Sequence, residues 1–185
     1  MIHSPRYYTP LYQLDTDRAR REDLLVLCHS NKICLITLAP SHPVIKDRLT
    51  VNNVNLDVSK NIDRKSNNPK GKSKKGGQAL QNDSILVILE TDRKKYKVQA
   101  VMPGKLICVN RVMSEDPGKL VSHPDSEGHV AIVLPSKGQY EGARARLLSK
   151  EQYEERMREE GVEESVKQMD VDVKKDEDTK IGAGI

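Results

Sequence analysis

The chain has 185 residues, 31 basic and 27 acidic, for a net charge of +4. That length fits one domain with tails, because domains usually run about 100–200 residues. At 36% apolar and 31% charged, with six Tyr and no Phe or Trp, the chain is not core-rich from end to end, and a large aromatic-lined enzyme pocket is disfavoured.

Residues 1–23 read as an N-terminal arm carrying Tyr7, Tyr8 and Tyr12. The first residues lack the apolar run of a signal peptide, and no stretch approaches the roughly 18 apolar residues of a membrane span. Leu24 to Cys28 is a short apolar run and Lys32 to Leu38 a second. His29-Ser30-Asn31 between them predicts a hairpin turn, with Asn31 able to take positive φ. Pro40 and Pro43 end the second strand, since each removes a ladder donor. Val51 to Val58 alternates at its end as a half-buried strand does. Residues 59–83 are rich in Lys, Asn, Ser and Gly. So little apolar surface cannot offset the entropy of ordering, which predicts a disordered basic loop.

Ile85 to Leu89 predicts a buried strand, Glu90 to Lys95 a charged turn, and Lys97 to Val101 a returning strand. Met102-Pro103-Gly104 predicts a turn, followed by strands at Lys105 to Val109 and at His129 to Leu134, the latter stopped by Pro135. Strands at short intervals without helices between them argue for a small all-β sandwich or barrel over residues 24–148. A helix is expected over 149–161, with Ser149 as N-cap, Gln152 completing a capping box and Leu148 and Tyr153 in staple positions. Glu154 and Arg158 are spaced for an ion pair, and Gly161 is a stop. Residues 162–185 predict a disordered acidic tail.

Cys28, Cys34 and Cys108 show no Cys-x-x-Cys pairing, and His29, His42, His123 and His129 are scattered, so no metal site is expected. The thiols read as small buried hydrophobes of a protein in a reducing compartment. Cys34 with His29 or His42 could form a nucleophile pair, but a mid-strand thiol has its pKa raised and no third group orients the histidine. No catalytic residue is assigned. Lys70, Lys72, Lys74 and Lys75, within the basic run Lys60 to Lys75, match no phosphate-loop pattern. They suit a nuclear-import or polyanion patch. A nucleic-acid platform would add stacking aromatics, so direct nucleic-acid binding is not expected.

The stretch Ile85 to Val109 resembles the hammerhead hairpin of lipoyl and biotinyl domains, and Ala100 to Leu134 resembles the glycine cleavage H-protein. In those proteins a lysine at the hairpin tip carries the cofactor. Aligning on Gly104 puts Arg93 at that position, and a guanidinium stays protonated and does not acylate. Lys94 and Lys95 lie next door, but a one-residue shift in a hairpin points the side chain to the other face. The run His29 to Val44 is similar to the signature of the Abitram (Simiate) family. So, in the same order, are Arg6-Tyr7-Tyr8-Thr9, Glu127 to Pro135 and Leu147 to Glu154.

The resemblance implies a mainly β, barrel-sandwich hybrid of H-protein type, without lipoylation, enzymatic activity or cofactor. It implies actin as a partner, an influence on actin polymerisation and filopodia, and a nuclear role with transcription-linked proteins. Nuclear speckles, cytoplasm and cell projections are the implied locations, with no membrane partner. Two alternatives stand beside it. One is a lipoyl- or biotinyl-type carrier using Lys94 or Lys95; the other is a nucleic-acid-associated factor using the Lys60 to Lys75 loop.

Overall fold

The computed structural model describes residues 7–161; the acidic tail expected over 162–185 lies outside the described residues. They divide into a β-rich unit ending at Ser149 and a second unit beginning at Lys150.

In the first unit, β1 (Tyr8–Gln13), β2 (Leu24–His29) and β3 (Cys34–Leu38) follow each other antiparallel. The expected N-terminal arm is thus, from Tyr8 onward, the edge strand of the main sheet. The turn between β2 and β3 takes its positive φ at Lys32 (68°), not at Asn31. Asn31 instead accepts the Ile33 amide on its side-chain oxygen, an Asx-type bond that closes the turn. Next come β4 (Val51–Asn55), the small ribbon β5 (Asp57–Ser59) and β6 (Ile62–Asp63), and β7 (Ala79–Leu80). The hairpin β8 (Ile85–Thr91) and β9 (Lys95–Gln99), then β10 (Gly104–Val109) and β11 (Ala131–Pro135), complete the strands. The main sheet has the order β1-β2-β3-β11-β10-β7, and β4-β8-β9 form a second sheet.

Strand β9 shows why the second sheet faces one way. Tyr96 and Val98 are buried while Lys95, Lys97 and Gln99 are exposed, the period of two that a half-buried strand demands. From the main sheet Val26, Ile36, Leu106 and Val133, and from the second Val87, Leu89, Tyr96 and Val98, meet in one buried cluster. The core is mainly aliphatic, with Tyr96 and Tyr140 its aromatic members, as the lack of Phe and Trp requires.

Two expectations need correcting. Residues 59–83 are not a featureless loop. Arg64, only 4% exposed, opens a 3₁₀ turn over Arg64–Ser66 and donates to the Ile85 carbonyl from Nε (2.9 Å) and Nη2 (2.6 Å), and to Gln78 Oε1 from Nη1 (2.7 Å). Asn67 donates to the Leu106 and Ile107 carbonyls, and Gln78 to Asp63 O. Polar side chains anchor this segment, and a count of apolar residues misses that. Replacing Arg64 with Met keeps the stem and removes the fork, stranding the Ile85 carbonyl. The expected loss is about 2–3 kcal/mol in urea unfolding, against under about 0.5 kcal/mol for Met at the exposed neighbour Lys65. Equal effects at both positions would mean the fork contributes nothing.

Short helices do lie between the strands, α1 (Pro43–Lys46), α2 (Val112–Glu115) and α3 (Lys119–Ser122), and α4 (Tyr140–Arg144) follows the last strand. At four or five residues they are too short to show a helical period. In the second unit α5 spans 150–161, and Glu154 pairs with Lys150 at 3.7 Å, one turn before the expected Arg158.

Candidate functional site at the β8–β9 hairpin

The β8–β9 tip is Thr91-Asp92-Arg93-Lys94. Thr91 Oγ1 accepts the amides of Arg93 and Lys94 and donates to the Lys94 carbonyl, which fixes a tight turn. Each tip cation has a carboxylate. Arg93 Nη1 meets Asp47 Oδ2 at 2.8 Å, Lys94 Nζ meets Glu22 Oε1 at 3.0 Å, and Lys95 Nζ meets Glu90 Oε1 at 2.6 Å. The Lys94 ammonium also lies 4.6 Å from the centroid of the Tyr96 ring.

Glu22 and Asp47 come from two loops that a buried polar knot holds together. Asp23, fully buried just before β2, accepts from Arg18 Nη1, from the Asp15 amide and from Ser41 Oγ at 2.6 Å. The neighbouring His42 is fully buried and caps α1, its Nδ1 accepting the Val44 amide at 3.2 Å, with Pro43 at the first helical position. Its ring lies 5.3 Å from that of Tyr96. Burial pushes this imidazole down to about 4; the Asp23 carboxylate opposes that and the Lys94 cation adds to it. Ser41, His42 and Asp23 resemble a hydrolytic triad in composition only. Ser41 donates to the carboxylate, and the Nδ1 that could orient toward Asp23 is occupied by a backbone amide.

The exposed ion pairs at the tip each add under about 1 kcal/mol. Burial of Val87, Leu89, Tyr96 and Val98 holds the hairpin in place; the ion pairs decide where the cations point. A swinging carrier arm needs a free amine at the apex. Here the apex side chain is the guanidinium of Arg93, and the nearest amine, Lys94, is turned toward Glu22 and Tyr96.

The remaining sequence candidates lie elsewhere. Lys70 and Lys75 exchange backbone hydrogen bonds, Lys74 takes φ 53°, and Lys70, Lys72 and Lys75 are exposed while Lys74 is half-buried. Together they form a small basic hairpin set on the Arg64 anchor. Cys28 and Cys34 are buried as expected, but Cys108 is exposed. Among the described residues no three His, Cys, Asp or Glu side chains gather as metal ligands, and no helix is long and apolar enough to cross a membrane. Sequence reasoning missed Asp23, Glu22, Asp47 and the buried role of His42. The His42-Pro43 pair was the available signal, since a proline after a capping side chain opens a helix as readily as it ends a strand.

A hairpin with Arg93 at its apex, set in antiparallel sheets of this order, defines an H-protein-like fold. The solved glycine cleavage system H protein of Mycobacterium marinum superposes with a TM-score of 0.50, covering 77% of this chain and 92% of that one at 15% identity, a likeness of fold alone. No family model matches the chain. Curated relatives do: Protein Abitram of Danio rerio is 38% identical over 151 residues, covering 81% of this chain and 85% of that protein. Protein Abitram of Homo sapiens is 37% identical over 153 residues (82% and 84%), and that of Drosophila melanogaster 42% over 154 residues (83% and 69%). The chain belongs to the Abitram family.

Proposed function

We propose that this chain is a non-enzymatic actin-binding protein that influences actin polymerisation and filopodia, with a second, nuclear role among transcription-linked proteins. The observation that carries the non-carrier half is Arg93 at the hairpin apex, engaged with Asp47. A carrier domain that has lost its amine keeps a rigid β scaffold and has only its surface to work with. Family membership supports actin as the partner. So does the exposed basic hairpin of Lys70, Lys72 and Lys75, which suits an acidic protein face and a nuclear-import receptor alike. Localisation in the nucleus, cytoplasm and cell projections follows from the same reading.

The test pairs an intact-mass spectrum of the protein from its own cells with co-sedimentation on filamentous actin. Unmodified Lys94 and Lys95, with protein in the actin pellet, is the expected result. Glutamine at Lys70, Lys72 and Lys75 should weaken pelleting about tenfold or more if the basic hairpin makes the contact. A lipoyl or biotinyl increment on Lys94 or Lys95 would reinstate the carrier reading, which the H-protein-like fold favours. Unmodified protein that stays in the supernatant would refute actin binding.

A further inference from the structure

Cys28 on β2 and Cys34 on β3 are directly opposed, with their sulfurs 3.6 Å apart. The ladder bond beside them runs from His29 N to Ile33 O. By the alternation of an antiparallel ladder, the two cysteines therefore occupy the close, non-hydrogen-bonded position, where Cα atoms are about 4.5 Å apart. A disulfide accepts Cα separations from about 4.4 Å upward. Joining the two sulfurs needs side-chain rotation and little movement of the backbone.

A second observation gives this pair access and direction. A half-open cleft of about 280 Å³ reaches Cys28 and is lined by Tyr7, His29, Lys32, Tyr140 and Arg144. Tyr140, on α4, lines the same cleft as Cys28, and Arg144 adds positive charge nearby. The facing Cys34 thiol, then the Tyr140 hydroxyl and Arg144, draw Cys28 below the ordinary thiol value in spite of its burial. Cys34 is pushed up, by its bond to Cys28 and by its own burial. The two sulfurs are unequal in access: the cleft reaches Cys28, whereas Cys34 is fully enclosed beside it.

We propose that Cys28 and Cys34 form a peroxide-responsive dithiol, Cys28 being oxidised first at the floor of the cleft and Cys34 resolving it to a disulfide. The Cys28 thiolate attacks one oxygen of hydrogen peroxide. The O–O bond breaks, Cys28 becomes a sulfenic acid, and the departing hydroxide takes the thiol's former proton to leave as water. The Cys34 sulfur then attacks the Cys28 sulfur, the S–O bond breaks, and the second hydroxide leaves as water with the Cys34 proton. Two thiols and one peroxide give one disulfide and two waters, and the two electrons lost by the sulfurs reduce the peroxide. The exposed Cys108 serves as an internal control.

The reduced full chain is treated with hydrogen peroxide, alkylated in denaturant and digested with trypsin. Lys32 lies between the two cysteines, so the reduced chain yields Glu22–Lys32 and Ile33–Lys46 as separate peptides and the disulfide form yields them joined. The joined product is expected to form about tenfold faster than any product at Cys108, and the preference should disappear in urea. In Cys34→Ser, a 1,3-diketone should trap sulfenic acid on Cys28. Oxidation of Cys108 ahead of Cys28, or joined peptides forming as readily in urea as in the folded chain, would overturn the proposal. Both readouts come from the unmutated protein, so the inference does not depend on the variant folding.

Discussion

Between pH 6.5 and about 4 the fold is expected to lose up to about 3 kcal/mol through His42 alone. The sign follows from proton binding. Burial lowers the folded-state pKa to about 4, from 6.5 in the unfolded chain. Above pH 6.5 both states hold a neutral ring and nothing is at stake. Below it the unfolded chain takes up a proton that the folded chain refuses, so stability falls with pH until the folded pKa is reached. The geometry agrees. With Nδ1 accepting the Val44 amide, the neutral ring carries its hydrogen on Nε2, and that buried atom has no hydrogen-bond partner. A second proton would have to sit on Nδ1 and break the α1 cap. Asparagine at position 42 keeps a capping oxygen and does not titrate. Unfolding free energies from urea titrations at pH 7 and pH 5 should therefore differ by about 2 kcal/mol more in the native protein than in His42→Asn. Parallel pH slopes would assign the acid sensitivity to other groups.

Alanine at Gly104 should cost about 3 kcal/mol or more, or prevent folding. Gly104 is the first residue of β10, pairing with Leu80 of β7 on one side and Pro135 of β11 on the other. A methyl group there would overlap the Leu134 carbonyl oxygen and come within 2.6 Å of Pro135 Cα, both of them backbone. No rotamer relieves that, so a ladder must open. Gly142 in α4 is the opposite case, with nothing within 4 Å of an added methyl. Alanine there should stabilise by about 0.5–1 kcal/mol through helix propensity. Thermal unfolding of the two variants side by side checks both signs; a neutral Gly104→Ala would mean that the two strands separate at little cost.

Gly104 also shows how far the sequence could be read. Met102-Pro103-Gly104 reads correctly as a turn leading into a strand, yet what demands glycine there is the proximity of a strand whose sequence lies about thirty residues later. The local pattern carries β8, β9, β10 and β11 well, because alternation and Pro or Gly punctuation are short-range signals. The pattern sets strand ends too short where charged residues still pair. Glu90 and Lys95 read as turn residues, yet they face each other across the ladder and bridge their side chains. The anchored 59–83 segment escaped for a related reason: Arg64 and Asn67 look like solvated loop residues until their acceptors at Ile85, Leu106 and Ile107 are known. In the candidate site, Arg93 was legible because its position follows from spacing within one hairpin. Asp47, Glu22 and the Asp23–Ser41 bond were not, since they join loops far apart in the sequence.

The edges of the main sheet limit how any partner can attach. On the open side of β1, Tyr12 exchanges both backbone hydrogen bonds with Leu148. Pro10, two residues earlier and facing the same way, has no N–H to offer. At the opposite end β7 is only two residues long, and Asn67 caps the next carbonyls of β10. Neither border of the main sheet accepts an added strand, so that sheet is poorly suited to donor-strand exchange or to edge-to-edge self-association. Recognition by the main sheet passes through side chains on its face and loops, where single substitutions can retune it without disturbing the ladders beneath.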